Sequence, residues 1–157
     1  MPIPDLDTNT GYLPPGEHLA SLEEVLDVFG VGGFRRKELA PELQWVWEQL
    51  RNRGVTQMWV DGSFVTAKKR PGDIEVVYLV PENADVTAWG ELAPAQRESL
   101  KRRHGIDLWP HPSPQPRTNR RGLRTQPLGA HPIPITEYFS TDREGIPKGI
   151  VVVRSHG

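Results

Sequence analysis

The sequence contains no cysteine among its 157 residues, which excludes a disulfide bond, a thiolate nucleophile and a cysteine-bound metal. It also has no run of about 18 apolar residues, the length that a membrane-spanning helix needs. Its first residues show neither the basic flank nor the apolar stretch of a signal peptide. We therefore expect a cytoplasmic protein without membrane contact, in which any metal is bound through oxygen or imidazole.

Proline and glycine are abundant, with 16 and 15 residues, and they divide the chain into short elements. Residues 1–20 are rich in both and show no hydrophobic period, which predicts an extended arm on the surface. Residues 110–135 contain seven prolines, so a long loop rich in proline and arginine is predicted there. The length of the remaining sequence predicts one domain over residues 21–157.

Within that domain the hydrophobic pattern predicts helices and strands in mixed order. Ser21 and Glu24 form a capping box ahead of a helix from about Leu22 to Phe29. Apolar residues spaced by three and four predict a second helix within 34–53. Because Pro41 suits the first turn of a helix, the regular part of this second helix is expected to begin near Ala40. Strands are predicted at 56–61, 74–80, 105–109 and 150–153, and a third helix at 93–103. This order predicts an α/β (α+β) fold, a mixed β-sheet flanked by helices.

Two carboxylates open the most strongly β-forming stretch. Asp73 and Glu75 occupy positions i and i+2, which point to the same face of a strand. Two like charges at this distance repel each other unless a cation neutralises them, and Mg²⁺ (or Mn²⁺) combines carboxylate, water and phosphate oxygens. Asp107 lies in the next predicted strand. If the register allows, it joins the first two in a three-carboxylate metal site that can hold two ions.

A Gly-Ser turn precedes these carboxylates. Gly62 permits close approach of the backbone, and the turn at Ser63 offers N–H groups to a triphosphate, helped by the positive end of a short helix that it opens. The connection that follows contains Lys68, Lys69 and Arg70, which can neutralise phosphate charge. The pattern predicts a nucleotide-binding site. The alternative, a turn followed by the solvated start of a strand, stays open.

These residues together resemble the nucleotidyltransferase superfamily, in which a Gly-Ser turn is followed by two acidic residues spaced one apart. The chain is most similar to a bacterial family of small, uncharacterised nucleotidyltransferase-like proteins. The similarity is strongest in the stretch 61–66, in Pro71, Asp73 and Ile74, and in the ending 138–150. It covers most of residues 17–153. Glu75 departs from the superfamily pattern, which usually has a second Asp there; Glu also ligates Mg²⁺, but its carboxylate lies one methylene further out.

The resemblance implies transfer of a nucleotidyl group from an NTP to a protein, an RNA or a small molecule. Asp73 and Glu75 would bind the metal, and Asp107 would complete the site and polarise the acceptor hydroxyl. Small members often belong to toxin–antitoxin pairs, which suggests a protein partner. Lys148, in the family-like ending, either reaches phosphate or caps a turn.

A catalytically degenerate binding module is the alternative function. Residues 110–136 contain no acid, and their four arginines suit nucleic acid or an acidic protein partner. These arginines are Arg117, Arg120, Arg121 and Arg124.

Overall fold

The computed structural model describes residues 3–112, 141–142 and 144–155. Over these residues it confirms the mixed α/β class, with one five-stranded sheet and three α-helices. In chain order the elements are β1 (Gly16–Leu19), α1 (Leu22–Phe29), α2 (Phe34–Asn52), β2 (Gln57–Asp61), β3 (Ile74–Leu79), α3 (Arg97–His104), β4 (Ile106–His111) and β5 (Gly149–Arg154). Within the described ranges, none of the helices is at once long enough and apolar enough to cross a lipid bilayer.

The sheet has the strand order β1-β5-β2-β3-β4. Strand β2 is antiparallel to both β5 and β3, whereas the pairs β1–β5 and β3–β4 are parallel. The end of β2, the start of β3 and the start of β4 therefore lie at the same end of the sheet. Every acidic residue of the predicted site is found at that end.

Near its centre the sheet has apolar side chains on both faces. Successive residues of a strand point to opposite faces, and in these strands both sets are apolar. One face packs with the helices in the main core, to which the strands contribute Val60, Val76 and Leu108. The apolar stripe of α2 is buried in that core as predicted: Leu39, Leu43, Val46, Trp47 and Leu50. The other face holds a smaller cluster of Trp59, Val77, Ile150 and Val152, with Trp109 against it.

The first turn of α2 is anchored by a buried guanidinium. Arg36 is only 6% exposed, and it donates hydrogen bonds to the carbonyl oxygens of Phe29 (2.9 Å) and Phe64 (2.7 Å). It also donates to the carbonyls of Thr66 (2.7 Å) and Lys68 (2.6 Å). Burial lowers the pKa of Arg36, but an arginine remains charged in proteins. One side chain therefore ties α2 to the end of α1 and to the segment that follows β2.

Helix α2 begins at Phe34, so the expectation that its regular part begins near Ala40 is wrong. Pro41 lies inside the helix and leaves the carbonyl of Lys37 without its usual N–H donor, a loss that often breaks a helix. The contacts of Arg36 hold the turn ahead of the proline against the rest of the fold. Tertiary contacts thus override the local preference.

The predicted boundaries of the irregular segments also need correction. Residues Gly16–Leu19 of the predicted arm form a strand parallel to β5. Four residues are too few to show a period, and their partner lies at the other end of the chain. Pro110, placed in the predicted loop, lies in β4, where an edge position tolerates a residue without an N–H. The rest of the predicted loop, 113–135, and its four arginines lie outside the described residues.

Arg36→Met should lower the free energy of unfolding by about 3 kcal/mol or more, because four carbonyls lose a charged donor. Arg36→Lys should restore only part of this, since an ammonium group cannot reproduce the planar set of donors. Urea denaturation followed by circular dichroism measures both. Arg51→Met, at the exposed end of the same helix, serves as the control, and equal losses in the Arg36→Met and Arg51→Met variants would contradict the anchoring role.

Candidate functional site

Three carboxylates form a row across neighbouring strands. Asp61 lies opposite Glu75 in the β2–β3 register, and Glu75 lies opposite Asp107 in the β3–β4 register. Residues directly opposite each other share a face of the sheet, with Cβ atoms about 5 Å apart. Asp107 is therefore on the strand beside Glu75, as its predicted role required. Asp61 was not part of the predicted site, although its position at the end of a strand, just before the Gly-Ser turn, was visible in the sequence.

The inner end of this row contains a buried ion pair. The Nζ atom of Lys148 lies 3.0 Å from Oδ1 of Asp61, and the two side chains are 5% and 1% exposed. A buried pair of this kind is costly to break, because either partner alone would be an uncompensated charge away from water. Lys148 is therefore held in a defined position, with its ammonium group beside the carboxylate row.

The other two aspartates of the site also have basic partners. Nη1 of Arg97 lies 2.7 Å from Oδ1 of Asp107, and the guanidinium stands over the ring of Trp109. Nζ of Lys101 lies 3.4 Å from Oδ2 of Asp73, in a pair that is open to solvent. Two basic side chains of α3, together with Lys148, thus offset the mutual repulsion of the carboxylates.

A polar cleft of about 500 Å³ lies beside the row, within the size range of small-ligand sites. Five residues predicted for the site line it: Gly62, Ser63, Lys68, Asp73 and Glu75. Lys148 lines it too. Asp107 is not among the lining residues, and Lys69 and Arg70 are exposed beside the cleft rather than in its lining. The structure therefore brings the turn and the acidic pair together, and separates two of the three predicted basic residues from them.

The conformation of the turn requires glycine. Gly62 has φ 81° and ψ −169°, a combination that other residues adopt only under strain. A Cβ atom at this position would lie 3.1 Å from Cγ of Glu75. The expected short helix is present as a single 3₁₀ turn over Ser63–Val65. Gly62 therefore allows the backbone to lie directly against Glu75, one of the predicted metal ligands.

The N-terminal arm forms one wall of the cleft. Residues 7–12 close into a loop in which the side chain of Asp7 accepts from the N–H groups of Asn9 and Thr10. The N–H of Ala67 donates to the carbonyl of Gly11 at 2.8 Å, which fixes this loop against the segment after β2. No pattern in the sequence pointed to this contact, because it joins two irregular segments.

A turn near the C-terminal end forms another wall. Asp142 accepts hydrogen bonds from the hydroxyl of Tyr12 (2.7 Å) and from the backbone N–H groups of Glu144 and Ile146 (2.9 Å each). The bond from the hydroxyl of Tyr12, with help from these N–H groups and from nearby Lys148, holds the pKa of Asp142 below its ordinary value. This turn is part of the family-like ending, and it leads directly into Lys148.

The donor set suits a metal that arrives with a nucleotide better than a resident ion. Within 3–112, 141–142 and 144–155, no group of three or more His, Asp or Glu residues is placed to hold a metal. Mg²⁺ in nucleotide sites usually takes only one or two carboxylates and completes its shell with phosphate oxygens and water. Asp73 and Glu75 line the same cleft and can supply those two carboxylates.

Comparison with known proteins identifies a family but no activity. The DUF6932 family, described as a family of unknown function, matches residues 4–154. Searches of curated proteins and of solved structures found no match.

Gly62→Ala should lower the free energy of unfolding by roughly 1–3 kcal/mol, since alanine is strained in this backbone conformation and meets Glu75. The matched control is Gly72→Ala, at a position with open space for a Cβ atom, which should be neutral or slightly stabilising. Urea midpoints measure both variants. Indistinguishable midpoints would show that the turn does not require glycine.

Asp142→Asn should change how stability depends on pH. Because the folded-state pKa lies below the ordinary value of 3.8, the carboxylate stabilises the fold above that value, and the contribution is lost as pH falls through the folded pKa. The parent should therefore be more stable than the variant near neutral pH, and the difference should shrink below about pH 4. Thermal unfolding across this range measures it. A difference that stays constant down to about pH 2 would refute the assignment.

Proposed function

The chain belongs to the DUF6932 family, whose function is unknown, and we propose that it is a metal-dependent nucleotidyltransferase that moves a nucleotidyl group from an NTP to an acceptor hydroxyl. The observation behind the proposal is the composition of the cleft. Its lining combines the turn at Gly62, the carboxylates of Asp73 and Glu75, and the ammonium groups of Lys68 and Lys148. Acidic metal ligands next to basic phosphate ligands are what nucleotidyl transfer needs.

The order of the strands supports the same proposal. In the superfamily that the sequence resembles, a Gly-Ser turn is followed by an acidic pair. In this chain Gly62 follows β2, and the pair formed by Asp73 and Glu75 opens β3, which is antiparallel to β2. Asp107 faces Glu75 from the parallel neighbour β4. A nucleotidyltransferase-like fold is therefore our proposal for this mixed sheet.

The charges in the cleft make a cation necessary for nucleotide binding. The lining contains three carboxylates, those of Asp73, Glu75 and Asp142, and only two ammonium groups, those of Lys68 and Lys148. A triphosphate is itself polyanionic, so the carboxylates repel it unless a cation lies between them. Asp73 and Glu75 would hold Mg²⁺ together with phosphate oxygens, and the ion would neutralise charge and polarise the α-phosphate.

The other groups that take part in the transfer are two basic side chains and the acceptor hydroxyl. Lys68 and Lys148 bind phosphate oxygens of the leaving pyrophosphate. The acceptor oxygen bonds to the α-phosphorus, and the bond from that phosphorus to the oxygen bridging to the β-phosphate breaks in line. Pyrophosphate leaves with the electron pair, and the hydroxyl proton passes to water. Asp107, predicted to polarise the hydroxyl, is paired with Arg97, and its role stays a prediction.

One observation favours a second function, a non-catalytic binding module. Asp61, Asp73 and Asp107 each already have a basic partner within the protein. In a degenerate site such partners replace the metal permanently. The two functions differ in a measurable way, because binding to a degenerate site would not depend on Mg²⁺.

Calorimetric titration of the full chain with each of the four NTPs tests the proposal. We expect at least one NTP to bind in the presence of Mg²⁺ and to lose its binding when EDTA is added. Asp73→Asn should weaken that binding about tenfold or more, because it removes a charged metal ligand. Incorporation of labelled NTP into components of a cell extract, with parent and variant compared, then tests transfer itself.

Asp27→Asn is the matched control, since Asp27 is exposed on α1, far along the chain from the site. It should bind NTP as the parent does. If no NTP binds the parent in a Mg²⁺-dependent way, or if Asp73→Asn binds as well as Asp27→Asn, the nucleotidyltransferase proposal fails and the binding module remains.

A further inference from the structure

A second cavity, of about 350 Å³, lies next to the candidate cleft. It is lined by Gly72, Asp73, Glu98, Lys101 and Arg102. Asp73 lines both spaces, so the cleft and the second cavity share one carboxylate. The volume is within the range of pockets that hold small ligands.

The second cavity offers two cationic side chains that a ligand can engage. Lys101 pairs with Asp73 at 3.4 Å, but the side chains are 42% and 26% exposed. An ion pair this open to solvent is weak and readily exchanged. Arg102 is exposed and, within the described part of the chain, forms no ion pair. The carboxylate of Glu98 lies 3.1 Å from Arg97 and its side chain is 74% exposed, so water screens its charge from a ligand in the cavity.

In-line transfer places the acceptor oxygen and the leaving pyrophosphate on opposite sides of the α-phosphorus. A donor site and an acceptor site must therefore meet at the catalytic carboxylates from two directions. The cleft and the second cavity share the carboxylate of Asp73. On the basis of the proposed function, we propose that the second cavity binds the acceptor, and that the acceptor has a phosphate group near its reactive hydroxyl, held by Lys101 and Arg102.

The polar lining of the second cavity favours an acceptor that has a phosphate group. The cavity has no apolar side chain in its lining, so an aliphatic or aromatic acceptor would gain little from entering it. Lys101 and Arg102 are adjacent on α3, and neighbouring helical residues point in different directions. A tetrahedral phosphate presents oxygens in several directions and can accept from both side chains at once. A mononucleotide and the end of an RNA strand share this chemistry.

Direct binding measurements test the acceptor site without requiring turnover. The probes are AMP, a ten-nucleotide single-stranded RNA and adenosine, which lacks phosphate, each titrated into the full chain. Mg²⁺ is omitted, so that the carboxylates of the cleft repel nucleotides from the donor side. We expect AMP or the RNA to bind, and adenosine to bind about tenfold more weakly. Similar affinities for AMP and RNA would indicate a mononucleotide acceptor, and a clear preference for RNA a strand end.

The double substitution Lys101→Ala and Arg102→Ala tests the assignment to this cavity. It should weaken the phosphate-bearing probes about tenfold or more, and for RNA it should reduce the slope of log affinity against log salt by about 1.4. The double substitution Lys37→Ala and Arg51→Ala, at two exposed positions of α2, is the charge-matched control and should change neither. Circular dichroism checks that the variants are folded.

The outcomes separate this inference from the proposed function. If the double variant binds AMP and RNA as the parent does, or if neither probe binds the parent, the acceptor site is refuted even when Mg²⁺-dependent NTP binding is present. Mg²⁺-dependent NTP binding should be retained in the double variant, because the carboxylates of Asp73 and Glu75 are intact. Absence of NTP binding in the parent refutes the proposed function, and with it the assignment of this cavity to an acceptor, whatever the phosphate probes show.

Discussion

The guanidinium of Arg36 is the contact on which the candidate site depends. The segment after β2 turns three of its carbonyls inward, toward Arg36, and the end of α1 contributes a fourth. A buried carbonyl without a donor costs about 1–3 kcal/mol, so this segment could not pack against α2 without a group that donates in several directions. Arginine is the side chain that offers five N–H donors in one plane and no acceptor. With the carbonyls held inward, Ser63 and Lys68 line the cleft.

Charge balance is the second constraint, and its effect depends on how exposed each ion pair is to solvent. The pair of Asp61 and Lys148 is buried and is a fixed part of the protein. The pair of Asp73 and Lys101 is open to solvent, so a metal ion or a phosphate can replace either partner. The carboxylates of the site therefore include one that serves the fold and one that is free to exchange its counter-charge. This difference, rather than the number of acidic residues, is what makes Asp73 the centre of both proposed binding spaces.

The two ends of the chain complete the site. The arm that contains Tyr12 and the turn that contains Asp142 meet through one hydrogen bond, and both line the cleft. The arm then continues into β1, which pairs with β5 directly after Lys148. Closing such a long loop is costly in entropy, and the parallel pairing of β1 with β5 offsets that cost. The cleft is consequently a property of the complete domain and not of the Gly-Ser and acidic motifs alone.

The sequence by itself determined the features that depend on neighbours in the chain. The capping box of Ser21 and Glu24 sets the start of α1 as predicted, β-branched residues make β3 a strand, and the acidic pair at its start follows from spacing. Tertiary structure decided the rest. Strand β1 exists only because β5 offers a partner, and α2 continues through Pro41 while Arg36 anchors its first turn. The packing of distant segments also made Asp61 and Lys148 an ion pair and left Lys69 and Arg70 outside the cleft. Local patterns encode dihedral preferences and the direction of side chains, whereas hydrogen bonds and ion pairs between distant segments depend on how the whole chain packs.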